Sequence, residues 1–382
     1  MKATKFINGF IDLQGYARWR KFHPSFKDNT ASHSYKAAVY ALVASLLQKE
    51  KYGQDINIEG VVCSTLFQDM HKLIIGHMNY NTKKRMARFM PRIIKDANVK
   101  IVSNLSDIST EMYDFFYDTM VALDHLNDFE KEMVETADLF EEMIFCYREM
   151  KDGSKSPFFK ETFEEIAKKM RESKIEAFRY MMAEFDQKGA FFNFLYEVMM
   201  LDQIERWDGR TNLVYDTDTE HSFRATALAI FFALLEKYKY GKKIDVLRLV
   251  GKVLCHDIPE IRTGDVNGPF KHSIPELKEE FEIYEKETAM DIVEQLPVCL
   301  HSFFTDYMVN AKDETYEGKL VDVVDKVDAL IKANLERQIN AKVYEASYRE
   351  QLEKIQLKFD NPCAIYFLAY VLHDMGNPNF QK

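Results

Sequence analysis

The chain has 382 residues, enough for two ordinary domains or one large one. Its formal net charge of −10 argues against long nucleic acid as a partner, although a small phosphate ester stays open because a bound cation supplies local positive charge. Only 14 Gly and 9 Pro interrupt a chain rich in Met, Phe, Lys and Glu, which favours helix over sheet.

Five scattered cysteines (Cys63, Cys146, Cys255, Cys299, Cys363) form no CxxC pair. Neither a zinc knuckle nor a disulfide framework is indicated, and reduced thiols in a cytoplasmic protein are expected. The first residues lack the apolar core of a signal peptide, and no apolar run approaches membrane-spanning length. No leader and no membrane span are expected.

A shift of 188 positions lays the chain on itself. Arg18-Trp19 falls on Arg206-Trp207, His33-Ser34 on His221-Ser222, and Lys51-Tyr52-Gly53 on Lys239-Tyr240-Gly241. Asp69 falls on Asp257, Gly76 on Gly264, Asn79 on Asn267 and Lys83 on Lys271; after a slip of one residue, Asp138 falls on Asp325 and Glu149 on Glu336. Two copies of one helical unit are expected, 1–188 and 189–382, with the boundary near Asp186–Gly189. The breaker-rich stretch from Lys151 to Pro157 reads as a loop inside the first copy.

In the second copy, Ser222 to Tyr238 predicts a helix with one apolar stripe, and Val246 to Cys255 a short central helix stopped by Pro259. Leu277 to Leu296 predicts a charged amphipathic helix. Lys319 to Ile339 predicts a helix that places Asp325 and Asp328 on one face at i and i+3. No alternating strand pattern is present, so the fold class is all-α: two tandem bundles packed as an intramolecular pseudo-dimer.

Two imidazoles and two carboxylates in this copy, His221, His256, Asp257 and Asp325, make a ligand set for one divalent metal ion. Adjacent ionisable residues at the end of a buried helix, and an aspartate in a valine-rich stripe, are costly without a partner. Plainer roles stay open: His221 as a cap, Asp325 paired with Lys326 or Arg337, and Arg206-Trp207 as a surface cation–π pair. Glu260 and Asp265 follow His256-Asp257 closely.

The series Arg206-Trp207, Glu220-His221-Ser222-Phe223, His256-Asp257-Ile258-Pro259-Glu260, Gly264-Asp265-Val266, Pro269-Phe270-Lys271 and Asp325-Lys326-Val327-Asp328 resembles the HD-domain superfamily of metal-dependent phosphohydrolases. Within it, the chain is most similar to the bacterial 5′-deoxynucleotidase branch. The resemblance implies a helical bundle with one divalent ion (Mn, Co, Fe, Ni, Zn or Mg) on His221, His256, Asp257 and Asp325. It also implies catalytic carboxylates at Glu260 and Asp265, phosphate contact by Arg206 and Lys271, and Trp207 against a deoxyribose. The reaction would be phosphate release from a nucleoside 5′-monophosphate. A phosphodiesterase, a nucleotide-polyphosphate hydrolase and a non-catalytic nucleotide sensor are the alternatives. The protein would act on a small nucleotide, as a monomer with an internal pseudo-dimer or as a homodimer.

In the first copy His33, Asp69 and Asp138 survive, but His256 meets Gln68, Glu260 meets Lys72 and Asp265 meets His77. This copy is expected to be catalytically inactive and metal-free or weakly metal-bound, with His71 and His77 at the surface.

Overall fold

The computed structural model describes residues 2–76, 78, 80–207, 209–266, 268–271 and 273–375. His77, Asn79 and Asn267 lie outside the described residues. Among those described there are helices and no strand; extended backbone meets only in two isolated bridges, Ala17 with Asn29 and Glu205 with Thr217, one shift apart.

The framework helices of the first copy are α1 (Lys2–Asp12), α2 (Thr30–Glu50), α3 (Ile58–Phe67) and α4 (Asp128–Asp152). Their counterparts are α5 (Ala190–Met200), α6 (Asp218–Leu234), α7 (Val246–Cys255) and α8 (Tyr316–Ile339). The same devices start matched helices. Asn57 caps α3 by accepting from Gly60 N–H, and Asp245 caps α7 by accepting from Arg248 N–H. Trp19 and Trp207 both adopt the left-handed region, φ 57° and 61°, where a bulky residue is strained. Glu149 accepts from the backbone N–H of Ser25 and Phe26 at 3.0 and 2.9 Å; Glu336 accepts from Leu213 and Val214 at 3.1 and 2.8 Å. In each copy this buried glutamate ties the loop after the tryptophan to the last framework helix.

The expected single stripe on Ser222–Tyr238 is corrected. Every residue of α6 is buried, and Leu235–Lys239 continues it as a π-helical turn. The reason is that α7 and α8 cover one side of α6 while α2 of the other copy covers the rest. The polar contacts across this α2–α6 junction are reciprocal. Lys36 Nζ reaches Asp28 at 3.4 Å in its own copy and Asp202 at 3.3 Å in the other. Arg224 donates to Asp216 at 2.8 Å in its own copy and to Gln14 at 2.9 Å in the other. Under the shift Lys36 becomes Arg224, Asp28 becomes Asp216 and Gln14 becomes Asp202. An interface that reads the same from both sides is the mark of isologous pairing, here closed within one chain. Arg148 adds a 2.6 Å ion pair to Asp202, so the buried charges at the junction are mutually compensated. No described helix is long and apolar enough to cross a membrane.

Candidate active site

Three framework helices of the second copy deliver the site. His221 sits in the first turns of α6, whose start is set by a capping box between Thr217 and Glu220. His256 is the C-cap of α7, and Asp257 follows in the turn that leads to the short Glu260–Thr263 helix. Asp325 projects from α8.

These four side chains converge. His221 Nε2 lies 3.2 Å from Asp257 Oδ2 and 3.5 Å from Asp325 Oδ1. His256 Nε2 lies 3.1 Å from Asp257 Oδ1 and 2.9 Å from Asp325 Oδ1. Both imidazoles are held by their other nitrogen. His221 Nδ1 donates to Asp328 Oδ2 at 2.7 Å, and His256 Nδ1 donates to the Val253 carbonyl at 2.9 Å. That leaves each Nε2 lone pair facing the common centre, the arrangement by which outer carboxylates and carbonyls orient metal-ligating histidines. His221 Nε2 and Asp257 Oδ2 are buried, yet neither has a hydrogen-bond partner among the described residues. Buried polar atoms without partners are expensive, and two of them aimed at one point fit a cation. The donor set of imidazole nitrogens and carboxylate oxygens suits a divalent transition ion, and His221, His256 and Asp257 place one ligand atom each within 4.8 Å of one another.

Asp325 pairs with neither Lys326 nor Arg337. Its Oδ1 faces the imidazoles and its Oδ2 forms an ion pair with Lys312. Lys312 and the imidazole of His256 hold the Asp325 carboxyl well below its usual range, although burial opposes them.

Arg206 turns inward rather than lying on a surface ring. Its Nη1 is 3.2 Å from Asp218, 3.6 Å from Asp257 and 4.0 Å from Glu260. Burial opposes its charge, but Asp265, Asp218, Asp257 and Glu260 outweigh that. Burial pushes the Glu260 carboxyl well up, helped by Asp257 and Asp218 against the pull of Arg206; Glu260 Oε2 has no hydrogen-bond partner among the described residues. Asp218 is fully buried, and its carboxyl is pushed up to about 7 by burial, against Arg206, with Asp257 and Asp265 adding to the rise. A cavity of about 410 Å3 opens beside the centre and is lined by His256, Asp257, Glu260, Lys271, Glu285 and Lys312 among others.

Two expected contacts look different in place. Lys271 lines the cavity, but its ammonium is held by Glu285 at 2.5 and 2.7 Å. Trp207 lies beside Tyr344, with ring centroids 6.1 Å apart, and the cation over it is Arg210, not Arg206. Sequence reasoning missed Asp218 and Lys312. Asp218 stands three residues before His221 on one helix face, a signal that was available; Lys312 lies in a loop with no pattern to mark it.

The matched centre of the first copy is self-compensated. Asp138 Oδ1 accepts from His33 Nε2 and from the Gln68 amide, each at 2.7 Å. Lys72, standing where Glu260 stands, donates to Asp69 at 2.5 Å. Among the described residues, no atom of His33, Gln68, Asp69 or Asp138 is buried without a partner. His71 is buried rather than at the surface, because its Nδ1 donates to the Gln68 carbonyl at 2.9 Å. Arg18 and Trp19 are also turned to structural use: Arg18 pairs with Glu142 at 2.6 Å, while Trp19 stacks on Phe145 and donates to Asp28.

The 5′-deoxynucleotidase YfbR-like family model matches the chain twice, over residues 5–188 and 191–375. A 5′-deoxynucleotidase of Pasteurella multocida is 23% identical over 175 residues, which are 46% of this chain and 89% of that protein. The 4′-phosphooxetanocin A phosphatase of Priestia megaterium is 29% identical over 140 residues, 36% of this chain and 70% of that protein. A solved HD-domain phosphohydrolase of Listeria innocua is 26% identical, covering 50% of this chain and 91% of its own, with a TM-score of 0.46. Matched over nearly its whole length by two consecutive copies of one family, the chain belongs to the YfbR-like 5′-deoxynucleotidases.

Proposed function

We propose that the second copy is a metal-dependent phosphomonoesterase that releases phosphate from 2′-deoxyribonucleoside 5′-monophosphates. The observation that supports this reading best is the pair of unpartnered buried atoms, His221 Nε2 and Asp257 Oδ2, in a ring of ligands beside an inward-facing arginine. In this reading His221, His256, Asp257 and Asp325 hold one divalent ion. Such an ion supplies Lewis acidity, acidifying water and drawing charge from phosphoryl oxygens.

The chain's own residues do the rest. Arg206 exchanges its contact with Asp218 for the phosphate oxygens and stabilises charge that grows as the P–O bond breaks. Glu260, whose carboxyl keeps its proton more readily than an ordinary glutamate, delivers that proton to the departing 5′-oxygen. Asp265 adds negative charge near Arg206, Trp207 borders the sugar, and Lys271 contacts phosphate only by leaving Glu285. The first copy, residues 1–188, is catalytically silent and metal-free, because Lys72 and Gln68 already satisfy the carboxylates that an ion would need. Five cysteines without disulfides suit the cytoplasm.

A phosphate-release panel over ribo- and deoxynucleoside mono-, di- and triphosphates, with Mn or Co added, tests this. The expected result is release from the deoxynucleoside monophosphates. Metal bound with no release from any nucleotide would instead make the chain a sensor.

A further inference from the structure

A second cavity, of about 490 Å3, lies where the two copies meet, and none of the proposed metal ligands lines it. Its walls include Arg18, Arg20, His23, Lys27 and Asn29 of the first copy and Tyr215 of the second. Arg20, His23 and Lys27 are exposed. Lys27 Nζ rests 3.9 Å from the Tyr215 ring centroid, and no ion pair or hydrogen bond engages the side chains of Arg20 or His23 among the described residues. His23 is held at φ 54°, a left-handed conformation that is costly for a non-glycine residue and recurs at ligand clamps. The one acid in the wall, Asp28, is already matched by Trp19 at 3.0 Å, Lys36 at 3.4 Å and Arg18 at 3.5 Å. Glu205 and Glu220 stand beside Tyr215 without lining the cavity, so the lining charges left without a counter-ion, Arg20 and Lys27, are positive, in a chain whose net charge is −10.

The duplication supplies an internal control. Under the 188-residue shift Arg20 becomes Asp208, His23 becomes Thr211 and Lys27 becomes Tyr215. The second copy keeps no cation at any of the three positions, so the basic lining belongs to the silent copy alone.

We propose that this cavity binds a nucleoside phosphate, with its phosphates on Arg20, His23 and Lys27 and its ring system on Tyr215, and that the first copy thereby senses nucleotide for the second. The volume lies in the range of small-molecule sites. The floor of the cavity is wired to the catalytic copy. Asn29 Nδ2 donates to Glu220 Oε1 at 2.5 Å, and the other Glu220 oxygen accepts from Thr217 N–H at 2.7 Å. Glu220 immediately precedes His221, and Tyr215 lies three residues before Asp218. An occupant that draws Lys27 off Tyr215 or shifts Asn29 acts on the turn that places both residues.

The test uses the full chain carrying Asp257→Ala, which removes the proposed catalytic ion and so the competing nucleotide site. Calorimetric titration with ATP is expected to show one site. Adding Arg20→Glu and Lys27→Glu should weaken it about a hundredfold, roughly tenfold for each charge-assisted hydrogen bond to phosphate that is removed. Both side chains are exposed, so an unchanged melting curve will verify folding. Tripolyphosphate should bind more weakly than ATP. No binding to the Asp257→Ala chain, equal binding after charge reversal, or tripolyphosphate binding as tightly as ATP would each overturn the proposal. In the wild-type chain ATP should alter the rate of phosphate release, and Arg20→Glu with Lys27→Glu should abolish that response; no response in wild type, or a response that survives the charge reversal, would overturn the sensing role. A chain that hydrolyses nothing sinks the phosphatase reading, whereas the titration decides the cavity by itself.

Discussion

Asp328 is not a proposed ligand, yet the geometry makes it the residue that aims one. Its Oδ2 accepts from His221 Nδ1 at 2.7 Å, and its two oxygens accept from Arg224 at 2.7 and 2.8 Å. Asp216 engages the same guanidinium at 2.8 and 3.2 Å without reaching His221. The pair therefore separates orientation from stability. Asp328→Asn and Asp216→Asn each remove one carboxylate from a buried arginine, so each should cost about 1.5–3 kcal/mol of unfolding free energy, the range for hydrogen bonds to charged groups. Only Asp328→Asn also loosens the imidazole, and losing such an outer-shell partner costs about 10- to 100-fold in metal affinity or activity. The assay is a metal titration beside a denaturant melt for both variants. Equal metal affinity in both, with both destabilised, would show that Asp328 merely packs Arg224 and would refute the orienting role of the His221–Asp328 bond.

Other substitutions probe separate parts of the mechanism and the fold. Arg206→Lys should retain metal but lower kcat/KM by about a hundredfold, since a point charge cannot replace the planar fork on phosphate; steady-state kinetics with dAMP checks this. Lys271→Ala should change the same constant by less than about tenfold, because Glu285 already neutralises that ammonium. Asp202→Ala should destabilise the chain by about 3–5 kcal/mol in chemical denaturation, because it strands the buried charge of Arg148 at the junction of the copies, while Lys36 keeps Asp28 and Glu141. The double substitution Gln68→His with Lys72→Glu should raise the bound metal from one to two per chain, since His33, Asp69 and Asp138 are in place; a count that stays at one would show that the first copy lost its site for another reason.

Residues that repeat in sequence proved readable, because a duplicated unit repeats its physics. The shift predicted that Glu149 and Glu336 are equivalent, and both clamp the same loop by the same two N–H groups. It also aligned Val246–Cys255 with Ile58–Phe67, and both are helices over those spans. What escaped was set by tertiary packing. The burial of α6 on every side needs the other copy, which periodicity within one helix does not report. Lys312 meets Asp325 only because a loop folds back over α8, and Glu285 reaches Lys271 only when their separate helices pack. The direction of Trp207 depends on Tyr344, far along the chain. The structural use of Arg18-Trp19 in the first copy depends on Glu142 and Phe145, which no motif joins to them.

The most direct measurement is metal content by plasma mass spectrometry on three full-length proteins: wild type, His256→Gln, which gives the second copy the residue of the first, and Asp69→Ala, which removes one of the two matched aspartates that the first copy retains. One divalent ion per chain is expected in wild type, close to none in His256→Gln, and one in Asp69→Ala. An ion retained in His256→Gln, or lost in Asp69→Ala, would contradict a single metal centre in the second copy.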